Sequence, residues 1–146
     1  MTEKEISNAV KPVVPGIFVL PSDDRPLPAL LGGFCETCGM HYFPRPNYCR
    51  SCLGPLKETT VGSEGIIYSF TVIRKKPPFG LPLPYGAGFV DLKETGLRIF
   101  SLLDPEAVDQ LCIGLPVQLA VAPIGHDGSG NPCLRPFFKP LPKEEA

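Results

Sequence analysis

Cys35-Glu36-Thr37-Cys38-Gly39 followed by Cys49-Arg50-Ser51-Cys52-Leu53-Gly54 is the stretch on which the fold of this chain turns. Two residues between paired cysteines let both thiolates face one point. A glycine after each pair permits the tight turn that aims backbone N–H groups at the sulfurs. Two such knuckles, separated by residues 39–48, predict a closed tetrahedral site made by Cys35, Cys38, Cys49 and Cys52. Between them, His41-Tyr42-Phe43-Pro44-Arg45-Pro46 supplies one short strand and a return loop, which is what a ribbon needs. Zinc is the expected ion. A rubredoxin-like iron is the alternative, and disulfides or free thiols would exclude both. Four protein ligands leave no open position, so the ion is expected to be structural. Such a centre carries a net charge of about −2, which Arg45 and Arg50 lie near enough in sequence to offset. His41 is expected to be a strand residue beside the site and not a ligand.

Outward from the knuckles the chain is β in character. Residues 1–28 hold Pro12, Pro15, Pro21, Pro26 and Pro28, so a helix cannot propagate there, and an extended arm with one strand near Gly16–Leu20 is expected. Residues 29–56 form the ribbon. From there Gly65–Ile73, Tyr85–Leu92 and Leu97–Leu103 are rich in β-branched and aromatic residues, with a turn at Lys93-Glu94-Thr95-Gly96. Asp104-Pro105-Glu106 offers a cap, a proline at the first helical position and an acid in the first turn, predicting a short helix to about Leu111. Pro116–Ala122 and Cys133–Phe138 are the fourth and fifth strands, the last placed at an edge because Pro136 has no N–H to donate. Five strands with a helix between the third and fourth is the order of an OB-fold. The expected organisation is therefore mainly all-β: an arm over 1–28, a rubredoxin-like zinc ribbon over 29–56, a five-stranded OB-fold barrel with one short helix over 57–140, and a tail over 141–146.

Composition narrows the function. In 146 residues, 43% are hydrophobic and 20% charged, so a packed core is expected, while 19 prolines and 15 glycines favour short strands and loops. A net charge of −1 gives no global attraction to a phosphate polymer. The polar N-terminus lacks an apolar run of signal-peptide length, and no later run reaches the ~20 apolar residues of a membrane span, so a cytoplasmic location is expected. In a reducing compartment six cysteines, four of them in close pairs, point to a metal site and not to a disulfide framework.

The CxxCG knuckle, Tyr42-Phe43-Pro44-Arg45-Pro46, the second knuckle and Gly65-Ile66-Ile67-Tyr68-Ser69-Phe70-Thr71-Val72 together resemble the zinc-ribbon and OB-fold proteins associated with acyl-CoA enzymes. The resemblance is strongest to the small subunits that accompany thiolases, and it continues through Tyr85–Leu92, Leu97–Ser101 and Ile113–Val117. It implies a non-catalytic subunit, with no catalytic residue of its own, partnered by a larger thiolase-like subunit in a hetero-oligomer. Together they would bind a coenzyme A thioester as a shared ligand. The benzoylsuccinyl-CoA thiolase of anaerobic toluene degradation is similar in kind. The chain departs from many of these relatives in opening with a proline-studded arm instead of an amphipathic helix.

Other residues have chemistry to offer. Arg74-Lys75-Lys76 ends the first barrel strand and opens Pro77-Pro78-Phe79-Gly80-Leu81-Pro82-Leu83-Pro84, a loop position at which OB-folds often meet ligands. The three cations are candidates for CoA phosphates or an acidic partner surface, and Phe79, Leu81 and Leu83 for an apolar groove; a solvated strand end is the plainer alternative. Cys112 is expected to be a buried, inert thiol at the end of the helix, and Cys133 likewise. His126, in a hairpin loop over 125–131, is expected to face solvent. A nucleic-acid-binding protein is the rival function, but Tyr68, Phe70, Phe89 and Phe100 have little basic charge around them in sequence.

Overall fold

A computed structural model describes residues 11–141. Residues 1–10 of the expected arm and 142–146 of the expected tail lie outside the described residues. Two sheets organise the chain.

The first is built around β3 (Ala29–Cys35). β5 (Lys57–Gly62) runs antiparallel along one side of it, while β2 (Phe18–Val19) and β4 (Met40–Tyr42) take the other side at its two ends. The paired Gly32 and Gly33 in β3 are a packing requirement. A Cβ on Gly32 would strike the Tyr42 carbonyl and come within 2.8 Å of Val61 Cγ1, and one on Gly33 would lie 2.8 Å from Arg45 Cγ. The strand Lys57–Gly62, placed with the barrel by the sequence boundary at 56/57, thus lies in the ribbon sheet.

The second sheet closes into a barrel. β6 (Glu64–Ile73) pairs with β7 (Tyr85–Leu92), β7 with β8 (Arg98–Leu103), and β6 also with β9 (Pro116–His126). β10 (Pro132–Pro140) lies antiparallel to β9 and closes the ring through a parallel pairing of Phe138 with Leu103 of β8. A five-stranded ring in this order, with one parallel closure, is the OB-fold arrangement expected from the strand succession. β1 (Lys11–Pro12) adds to β10 at Cys133 and Leu134.

Three details differ from the sequence expectations. The helix after β8 is a 3-10 helix, Pro105–Gln110, kinked at Ala107; its cap is as expected, with Asp104 accepting from the Glu106 N–H at 2.9 Å. A further single 3-10 turn, Pro78–Gly80, lies in the β6–β7 loop. β10 is not a sheet edge, because it is flanked by both β9 and β8. Pro136 is nonetheless accommodated: it pairs with Val121 of β9 and lies between the β1 contact at Leu134 and the β8 contact at Phe138, so its missing N–H breaks no ladder on that side.

The core runs through both sheets. Ile67, Val90, Leu92, Ile99, Leu103, Val117, Leu119, Leu134 and Phe138 fill the barrel, and Phe18, Leu30 and Val61 of the ribbon sheet belong to the same buried cluster. The Lys93–Gly96 turn reinforces this junction. Glu94 accepts from the Ser63 N–H at 2.7 Å, and the Thr95 hydroxyl donates to the Val61 carbonyl at 2.9 Å.

Candidate metal centre and surface sites

The knuckles bring the four cysteines together as their spacing predicts. All four sulfurs lie within 4.8 Å of one another. Cys35 and Cys52 Sγ are 3.6 Å apart and Cys38 and Cys49 Sγ 3.9 Å apart. A tetrahedron of sulfurs ~2.3 Å from a central zinc has edges of about 3.8 Å, so the donor set fits such an ion. A disulfide needs ~2.05 Å, and all six cysteines are free. Cys35 and Cys49 are buried while Cys38 and Cys52 reach the surface.

Backbone N–H groups are aimed at the sulfurs, from Cys38 to Cys35 Sγ and from Gly54 to Cys52 Sγ, each at 3.4 Å. Gly39 has φ +71, as a tight turn after the first pair requires. In the second knuckle the left-handed position is taken by the exposed Leu53, φ 61, and not by Gly54. Gly54 is needed for a different reason, since a Cβ there would sit 3.2 Å from Cys52 Sγ.

One neighbour was not singled out by sequence reasoning. Tyr42, on β4, is 8% exposed and places its hydroxyl 3.3 Å from Cys49 Sγ while accepting from the Arg50 N–H at 3.2 Å. The hydroxyl, followed by the Cys52 N–H, pulls the Cys49 thiol down to about 6. Cys38, hydrogen-bonded to Cys52 and partly desolvated, is pushed up to about 12. Its sequence signals were a strand position beside a cysteine pair and its place in the Tyr42–Pro46 motif, and neither points to a contact with a sulfur.

The surrounding charges are arranged differently from the sequence expectation. Arg50 lies over the Tyr42 ring at 5.9 Å, close to the site. Arg45 is instead engaged by Glu58 at 3.7 Å. His41 stacks on Phe34 with centroids 4.8 Å apart and is not among the clustered ligands.

The β6–β7 loop divides into exposed and anchored residues. Arg74, Lys75 and Lys76 are exposed, and among the described residues none pairs with a carboxylate. Phe79 and Leu83 are 50% and 43% exposed, whereas Leu81 is buried against Tyr85 and Ala87, so it anchors the loop instead of presenting a surface. Lys76 and Phe79 hold positive φ angles of 53° and 54°, conformations that L-residues keep only where the surroundings fix them. Arg135 supplies part of that fixing, 5.7 Å from the Phe79 ring and donating to the Ile124 carbonyl at 2.7 Å.

His126 and Cys112 both depart from their expectations. His126 ends β9 half-buried, its ring edge-on to Phe79 at 6.2 Å. A Cβ on Gly80 would lie 2.8 Å from that ring, which is how closely the loop packs there. Cys112 is exposed because the 3-10 helix ends at Gln110 and Leu111 takes the inward position against Gly86. Cys133 is buried as expected.

The outward face of β6, β7 and β8 is apolar. Ile66, Tyr68, Phe89 and Phe100 are 50%, 50%, 41% and 62% exposed, alternating with buried Ile67, Val90 and Ile99. Phe89 and Phe100 meet edge to face at 5.3 Å. A bulge in β6 between Ile67 and Ser69 carries Tyr68, and Arg98 stacks on its ring at 3.4 Å. Arg98 is also bidentate to Asp91, at 2.7 and 3.2 Å, which neutralises its charge. No helix among the described residues is long and apolar enough to cross a membrane.

Comparison with known proteins places these features among relatives. Residues 58–122 match the family of ChsH2 C-terminal OB-fold domains. A DUF35 domain-containing scaffold protein of Methanocaldococcus jannaschii is 28% identical over 116 residues, covering 77% of this chain and 82% of the relative. A solved chain of the Ltp2-ChsH2(DUF35) aldolase is 26% identical, covers 77% of this chain and 84% of its own, and superposes with a TM-score of 0.62.

Proposed function

We propose that this chain, similar over its barrel to ChsH2 C-terminal OB-fold domains, is a non-catalytic zinc-binding subunit of a thiolase-type acyl-CoA enzyme. The observation that carries the reading is the exposed apolar face of Ile66, Tyr68, Phe89 and Phe100. Exposed aromatic side chains held on three adjacent strands, with Arg98 beside them already paired, suit an apolar protein surface and not a phosphate polymer. The names of the similar proteins, a scaffold protein and a component of an aldolase, support the same role.

Within that reading Cys35, Cys38, Cys49 and Cys52 hold one structural Zn2+, which supplies cross-linking of the ribbon and no open coordination position. The larger catalytic subunit docks on the aromatic face. The β6–β7 loop, with Arg74, Lys75 and Lys76 free and Phe79 held beside them, meets the phosphates of the shared coenzyme A ester. Leu81 serves as the anchor of that loop. The thiolase acting on benzoylsuccinyl-CoA is the first acyl-CoA system to test.

The experiment uses the chain expressed with its thiolase-type partner. Phe89→Glu with Phe100→Glu is expected to abolish co-purification of the partner while leaving the melting temperature of the isolated chain within a few degrees. Replacing Arg74, Lys75 and Lys76 by serine is expected to leave the complex intact and raise its KM for the CoA ester. Unimpaired co-purification of the double glutamate variant overturns the docking face. Retention of single-stranded DNA by the wild-type chain in a mobility-shift assay would favour a nucleic-acid role instead.

A further inference from the structure

The strongest unassigned group in the molecule is the hydroxyl of Tyr42. It is buried, yet it is not orphaned: on one side it accepts the N–H of Arg50, the residue after the third cysteine, and on the other it reaches Cys49 Sγ. With the Arg50 N–H on its oxygen, the hydroxyl has its proton to direct to a sulfur, and Cys49 Sγ at 3.3 Å is nearer than Met40 Sδ at 3.9 Å. Cys49 is the most enclosed of the four sulfur-bearing residues, 0% exposed, so solvent does not supply the donor. Cys35 and Cys52 receive backbone N–H groups from their own knuckles. Cys49 receives, besides the Cys52 N–H of its own knuckle, a side-chain donor from β4, a separate element held by pairing with β3.

We infer that Tyr42 is a positioning residue for the metal centre, holding the Cys49 thiolate by an O–H···S hydrogen bond that ties β4 to the second knuckle. This inference rests on the four-cysteine zinc reading. The ring also carries the Arg50 guanidinium over its face, so a single side chain sets a hydrogen bond at the sulfur and a positive charge beside it. Outer-shell donors of this kind fix ligand orientation and metal retention. The ring itself packs with Cys35, Cys49 and Leu56, so removing the hydroxyl alone leaves that packing in place.

The test compares Tyr42→Phe with wild type and with Tyr48→Phe, an exposed tyrosine between the knuckles. Zinc affinity is measured by competition with a chromophoric chelator, and the sulfur-to-metal charge-transfer band is recorded after substitution with Co2+. Tyr42→Phe is expected to bind zinc about 10- to 100-fold more weakly. Its charge-transfer band is expected to move to lower energy, because a thiolate stripped of a donor holds its electrons less tightly. Tyr48→Phe should change neither. Equal affinity and an unmoved band in Tyr42→Phe overturn the inference while leaving the zinc reading standing. Wild-type protein that takes up neither Zn2+ nor Co2+ defeats the zinc reading itself. A band that moves in Tyr42→Leu and not in Tyr42→Phe would assign the effect to the ring and overturn the role of the hydroxyl.

Discussion

Gly88 pairs with Phe70 just beyond the β6 bulge, and a methyl group on it would lie 2.7 Å from Phe70 Cα and 2.9 Å from its Cβ. Backbone cannot yield as a flexible side chain can, so β6 and β7 must part there. Gly88→Ala is expected to lower stability by about 1–3 kcal/mol, the range for overpacking a filled site. Gly128, whose added methyl meets nothing within 4 Å, is the matched comparison, and Gly128→Ala should be close to neutral. Urea denaturation of the two variants separates them; equal midpoints would show that the close approach is not limiting. At this scale the gathering of the four cysteines was legible because their spacing is itself the geometry. Leu53 was not, because any sequence rule assigns a left-handed turn to the glycine one place later, and the actual division of labour depends on how near Gly54 approaches Cys52 Sγ. Leu81 was hidden for a related reason. Apolar residues between prolines look alike in sequence, and only the fold of the loop decides which one turns inward.

The β7–β8 hairpin carries its own electrostatic lock. Asp91 and Arg98 are direct partners in the ladder, and the guanidinium, chiefly through its hydrogen bonds, holds the Asp91 carboxyl below its ordinary range. A carboxyl whose folded pKa lies below its unfolded value near 3.8 contributes stability above that value and loses it as pH falls through the folded pKa. Asp91→Asn is therefore expected to lower stability slightly at pH 7 and, by the same amount, to flatten the loss of stability below about pH 4. Both side chains are more than a third exposed, so the effect is small and salt-sensitive. Thermal melts across pH 2.5–7 at two salt concentrations read it; identical acid limbs for variant and wild type would remove the pair from the account. The five barrel strands and the Asp104 cap were legible because alternation and capping are local rules. The length of β9, running to His126, was not, because its end is fixed by packing on Phe79 and Gly80 from a loop nearly fifty residues earlier.

Residue spacing divides the chain into a ribbon and a barrel, but the buried contacts cross that division. Phe18 and Leu30 pair across β2 and β3, Val61 lies on β5, and all three pack with Ile67, Val90 and Phe138. β5 continues into β6 with one residue between, and Glu94 and Thr95 bind the strand junction from the barrel side. The knuckle end of the ribbon has a much smaller core, chiefly Cys35, Tyr42, Cys49 and Leu56, too little to stand without a metal. Removing zinc is thus expected to release residues 30–56 first, and through Leu30 and Val61 to weaken the barrel as well. Chelator-treated protein should melt at a lower temperature than the zinc-loaded form by the signal of the barrel tyrosines. Hydrogen exchange should show amides of β3 and β4 losing protection, with those of β5 partly affected and β7 and β8 least. A metal bound by Cys35 at one end of β3 would also keep Leu30, near its other end, packed in the cluster that Val61 shares. Loss of protection confined to the knuckles, with the barrel melting unchanged, would show that the shared cluster does not transmit the metal's contribution, and the two sheets would then have to be treated as independently stable.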